Sequence, residues 1–264
     1  MINVLTLFRL LAFLSLILQL QACQYSSLAK EEQTTEAQKK NDAASYNTQL
    51  GMAYLRQGDR PRAKRKLLTA LDLAPNSADV NVTMAYYLEK TGDINEAKTY
   101  YQKALSLAPK SGAQLNNYGT FLCRMGRYDE AERYFLKAVK DVHYVHTAGA
   151  YENAGLCAAA IPDYSNAKRY FAKALEQDPQ RKQSLFELVT IELKQDHADK
   201  ALRYLQKYPA LSLNDPTLLS MALEAAHRAG KAEVEIDYKQ RLSELNNFTD
   251  HTGARNEYNN NNNG

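Results

Sequence analysis

The chain has 264 residues, of which 24% are charged and 45% hydrophobic, with a formal net charge of +3. So even a balance carries no electrostatic footprint for nucleic acid. The composition favours helix formers, with 7 Pro and no strand-like runs of Val, Ile and Thr. Residues 1–22 read as a secretory leader: Arg9 is their one charge, and Leu10 to Leu20 is almost wholly apolar. That run falls short of the ~20 residues needed to span a bilayer.

The leader ends in Leu20-Gln21-Ala22-Cys23, which resembles a bacterial lipobox. Such a box implies cleavage after Ala22 and acylation of Cys23. The other reading is an ordinary leader with a free Cys23 behind it. Gln24 in place of Asp after that Cys resembles an outer-membrane sorting signal. Residues 24–43 are polar and without apolar period, a composition that reads as a flexible tether. Twenty such residues span roughly 25 Å by coil scaling.

From residue 44 to 245 one pattern returns. It first appears as Leu50, Gly51, Tyr54, Gly58, Ala63, Leu67, Ala70 and Pro75. It recurs 34 residues on as Met84, Ala85, Leu88, Gly92, Ala97, Tyr101, Ala104 and Pro109. The third copy has Tyr118, Gly119, Leu122, Gly126, Ala131, Phe135 and Ala138. A two-residue insertion within 141–147 precedes the fourth, which holds Ala154, Gly155, Ala158, Pro162, Ala167, Phe171, Ala174 and Pro179. A weaker fifth copy has Leu188, Ala201, Leu205 and Tyr208, and a sixth has Ala222, Ala226 and Gly230. The period and residue types resemble the tetratricopeptide repeat. The expected fold is all-α, a superhelical solenoid of six helix pairs, because a lone pair cannot bury its apolar face and must stack. Small residues are expected where two helices come close, and large ones beside them.

No constellation for catalysis is present. His143 and His146 sit in the insertion without a third ligand, so no metal or other cofactor is expected, and neither a phosphate loop nor a nucleophile elbow occurs. Arg60, Arg62, Lys64, Arg65 and Lys66 form a basic run at the start of a second helix. It reads first as a solvated outer face. Its other reading is a contact to anionic lipid or an acidic partner. Cys123 and Cys157 fall on the first helices of neighbouring repeats; a disulfide between them is expected, with two buried thiols as the alternative.

Arrays of this kind bind along the face lined by the first helix of each repeat. The motif positions place Ser45, Thr48, Met52, Leu55 and Arg56 there, then Asp79, Val82, Tyr86, Glu89 and Lys90, then Ala113, Asn116, Thr120, Cys123 and Arg124. Met52, Leu55, Val82 and Tyr86 would form an apolar groove for an amphipathic segment, with Arg56, Asn116 and Thr120 beside it. Packing against the tether or the next repeat would explain Met52 and Leu55 equally. The Lys residues by which some repeat arrays grip a C-terminal carboxylate are missing.

Three stretches sharpen the resemblance: Asn116-Asn117-Tyr118-Gly119-Thr120-Phe121-Leu122-Cys123, then Gly126-Arg127-Tyr128-Asp129-Glu130-Ala131, then Tyr151-Glu152-Asn153-Ala154-Gly155-Leu156-Cys157. Together with the lipobox, the tether and six repeats, they resemble the type IV pilus biogenesis lipoproteins of the PilF/PilW family. That resemblance implies a pilotin: a monomeric lipoprotein of the outer membrane, facing the periplasm through acylated Cys23. It would bind the pilus secretin subunit and promote its targeting and multimerisation. The alternative is an envelope scaffold that recruits peptidoglycan enzymes. Residues 246–264, ending in Asn259 to Asn263 and Gly264, read as a disordered polar tail.

Overall fold

The computed structural model describes residues 35–245; the leader, Cys23 and the 246–264 tail lie outside the described residues. Among the described residues there are thirteen helices and no strand. They form two compact units, one closing at Ala108 and the other opening at Pro109. The first unit holds α1 (35–56), α2 (Arg60–Leu73), α3 (Ala78–Thr91) and α4 (Ile94–Leu107). The second holds α5 (Gly112–Arg124), α6 (Tyr128–Ala138), α7 (Thr147–Ala159), α8 (Tyr164–Gln177), α9 (Lys182–Lys194) and α10 (Ala198–Lys207). It ends with the one-turn α11 (Pro209–Ser212), then α12 (Pro216–Arg228) and α13 (232–245). The architecture is an all-α repeat solenoid of helix pairs.

One turn is used six times. Backbone N–H groups of Asp59, Asp93, Arg127, Asp163, His197 and Lys231 donate to the carbonyls of Tyr54, Leu88, Leu122, Ala158, Glu192 and Ala226. Each is the six-to-one bond that closes a helix, and five of the six pass through a left-handed residue. Gly58, Gly92, Gly126 and Gly230 supply that conformation at φ 80°, 98°, 74° and 65°, and Asp196 supplies it at φ 61°. The sixth turn matches the first, so the weakest repeat is a regular helix pair. The second helices stop early at Pro: α2, α4 and α8 end two residues before Pro75, Pro109 and Pro179. Steric conflict with the Pro ring pushes the preceding residue out of the α region. Side chains of Asp59, Ser77, Ser111, Asp163 and Asp215 cap the N-termini of α2, α3, α5, α8 and α12.

Within each pair the close approach is specific. A Cβ on Gly51, Gly119 or Gly155 would stand 2.7, 2.9 or 2.6 Å from Leu67, Phe135 or Phe171, each sixteen residues on. Ala63, Leu67 and Ala70 are fully buried in the first unit. Phe121, Phe135, Tyr170, Phe171, Leu185 and Leu188 fill the second.

Of the tether expected over 24–43, residues 24–34 lie outside the described residues and the rest is helix. Residues 35–43 are helical and run on into α1. Glu36 pairs with Lys40 at 2.9 Å, and Gln38 donates to Asp42 at 2.8 Å, both one turn apart. Such pairs and good helix formers hold an exposed polar helix without any apolar stripe.

Candidate functional site

The residues expected to line a binding face divide between the two units. In the first, Ser45, Thr48, Met52 and Leu55 recur at three- and four-residue steps on α1, so they share one face. Asp79, Val82, Tyr86 and Glu89 do the same on α3. The N-terminal ends of these faces meet in a recess of about 530 Å³, lined by Ser45 and Thr48 from α1 and by Ser77, Asp79 and Val80 from the start of α3. Ala44, Ala74 and Pro75 form its apolar part. Met52, Leu55, Val82 and Tyr86 are half-buried, and Arg56 is exposed. The Lys90 ammonium sits 5.3 Å from the centre of the Tyr86 ring, and Tyr101 donates to Glu89 at 3.0 Å. The face is apolar in the middle and polar at both ends.

In the second unit Asn116 and Thr120 are joined by a residue that the motif positions did not single out. Asn153 on α7 donates to Asn116 Oδ1 at 3.1 Å and to Thr120 Oγ1 at 3.4 Å. Asn153 stands 37 residues after Asn116, three more than the basic period, so the pairing was hidden from a count of equivalent positions. A second rung lies beside it: Glu152 accepts from Ser184 at 2.7 Å and pairs with Arg181 at 3.1 Å. The two rungs tie α5 to α7 and α7 to α9 by side-chain hydrogen bonds. Cys123 and Cys157 are joined in a disulfide between α5 and α7, with Cα atoms 5.8 Å apart.

Arg62, in the basic run on α2, pairs with Asp59 at 2.6 Å and lies over the Tyr54 ring; Arg60, Lys64 and Arg65 are exposed. His143 and His146 are exposed on the insertion. Among the described residues no group of three His, Cys, Asp or Glu is arranged to hold a metal ion. No helix among them is long and apolar enough to cross a membrane.

Sequence models of the tetratricopeptide repeat match residues 48–77, 78–111 and 111–180. The structure of PilF from Pseudomonas aeruginosa is 27% identical with a TM-score of 0.64, covering 78% of this chain and 93% of that one. PilW, described as a widely conserved type IV pilus biogenesis factor, is 28% identical with a TM-score of 0.62, covering 76% of this chain and 93% of its own. YrrB, a repeat protein with an unusual peptide-binding site, is 16% identical with a TM-score of 0.50, covering 68% and 91%; it shares the fold. No curated protein matches the chain significantly. By its six repeated turns and by the repeat models it matches, the chain belongs to the tetratricopeptide-repeat proteins.

Proposed function

We propose that this protein is a pilotin: an outer-membrane lipoprotein that binds the type IV pilus secretin and promotes its targeting and multimerisation. The observation that carries the reading is the likeness to PilF and PilW, which spans about three quarters of this chain and 93% of each of theirs. Leu20-Gln21-Ala22-Cys23 supplies the anchor, and the α1/α3 face around Met52, Leu55, Val82 and Tyr86 supplies the secretin contact. The protein acts by binding, without catalysis. The acyl chains on Cys23 would carry the bound secretin along the lipoprotein export route to the outer membrane, where the array faces the periplasm.

The test compares secretin multimers on unboiled gels from cells with and without the gene. Loss of multimers and pili in its absence is expected. Cys23→Ala should mislocalise the secretin while leaving the repeats folded. Normal secretin rings in both strains would sink the reading. Co-purification of a peptidoglycan hydrolase instead of secretin would favour the envelope scaffold.

A further inference from the structure

The two-residue insertion is the one break in the period of the first five repeats, and stacking does not require it. The structure shows what it builds. Asp141 accepts from the Gly112 N–H at 2.7 Å and from the His143 N–H at 3.0 Å. Tyr144 packs against Gly112, where a Cβ would stand 2.5 Å from it. The segment is thus pinned to the start of α5 at two points. Pinned so, it holds Val142 at 91% and Val145 at 84% exposure, which no folding force favours.

Val142 forms one wall of a recess of about 420 Å³ between the start of α5 and the end of α6. That is within the usual size of ligand clefts, ~300–1,000 Å³. Pro109 and Leu115 supply apolar surface, and Lys110, Lys137 and Lys140 stand on the rim. None of these three lysines makes an ion pair among the described residues; Lys137 lies over the Tyr134 ring at 5.3 Å. Asp141, the one carboxylate in the lining, has both oxygens engaged by backbone N–H groups. Three ammonium groups without carboxylate partners among the described residues, around an apolar floor, complement an apolar side chain flanked by carboxylates.

We infer that this recess is a docking site for a protein segment that carries large apolar side chains between acidic residues. The inference stands whether or not the partner of the α1/α3 face is a secretin. A concave, apolar-floored site favours a peptide over a bilayer, which would meet a projecting surface.

The test uses the full mature chain as its lipid-free Cys23→Ser form and a dye-labelled peptide, Asp-Glu-Leu-Asp-Phe-Leu-Glu-Asp, read by fluorescence anisotropy. One-to-one binding is expected. It should weaken about tenfold or more when Lys110, Lys137 and Lys140 are changed together to Glu. V142D should weaken it as well, and unchanged circular dichroism melts would show both variants folded. The same peptide with Asn and Gln in place of its acids should bind poorly.

Equal affinity of the charge-reversal variant, or equal binding of the neutral peptide, would overturn the proposal. Loss on charge reversal with V142D intact would also overturn it, leaving charge attraction without a pocket. So would lysine-dependent binding seen only with phosphatidylglycerol vesicles, or a lysine-dependent dimer seen by sedimentation.

Discussion

At the scale of single residues, the array rests on a contact repeated inside its helix pairs. A glycine on a first helix receives a large side chain from sixteen residues on: Leu67 on Gly51, Phe135 on Gly119, Phe171 on Gly155. Ala85 and Tyr101 stand at the same offset in the second repeat, and both are buried. Gly155→Ala sets two effects against each other. Alanine would gain about 1 kcal/mol of helix propensity. Its Cβ, however, would meet three ring atoms of Phe171 at 2.6–3.0 Å, and that ring is fully buried with nowhere to swing. Overpacking of this kind costs ~1–3 kcal/mol. A net loss is expected, with a lower melting temperature for Gly155→Ala. Gly58→Ala would be strained for another reason, since Gly58 has open space around it but a φ of 80°.

At the scale of elements, the question is what holds neighbouring repeats together. Between α5 and α7 the answer is covalent as well as apolar, because the Cys123–Cys157 bond closes a loop with a sequence separation of 34. The chain-entropy account gives about 3–4 kcal/mol for a loop of that size. Reduction, or Cys123→Ser with Cys157→Ser, should lower the melting temperature of the second unit by roughly 10 °C. A scan with and without reductant checks this, and an unchanged midpoint would show that Asn153 and the apolar contacts suffice. Between α8, α9 and α10 the tie is ionic as well as apolar. Glu192 is 3% exposed; it pairs with Lys168 at 3.2 Å and lies 2.8 Å from His197 Nδ1, while Lys168 also donates to Gln195.

At the scale of the whole molecule, the second unit carries an alkaline weakness. Burial pushes the phenols of Tyr134, Tyr144, Tyr170, Tyr204 and Tyr238 above the usual tyrosine range. Tyr170 is displaced furthest, by burial and then by its hydrogen bond to Glu132. A group whose pKa is raised by folding favours the native state while it remains protonated in the unfolded chain too. That contribution is therefore intact below pH ~10 and is lost as pH climbs through the folded-state values. Helical circular dichroism should hold to about pH 10 and then fall together with phenol ionisation at 295 nm. Tyr170→Phe should soften that dependence. Ionisation of all the phenols near pH 10, with the helices intact, would contradict it.

The sequence by itself determined the repeat, its turns and its helix ends. Those features are local and periodic: a left-handed glycine, a Pro two residues past a helix, a small residue sixteen before a large one. The family likeness was legible for the same reason, in Asn116 to Cys123 and Tyr151 to Cys157. The structure decided what depends on residues about thirty apart in the chain meeting across helices. Asn153 between Asn116 and Thr120, Glu152 with Ser184, and Asp141 on Gly112 leave no period to read, because each partner takes its place only after the helices have packed. The helical 35–43 segment escaped notice for the opposite reason: its polar i,i+4 pairs stabilise a helix that buries nothing and so shows no apolar stripe. Whether an exposed valine is an accident or the wall of a recess was likewise settled only in three dimensions, where Val142 stands beside Leu115 and three lysines.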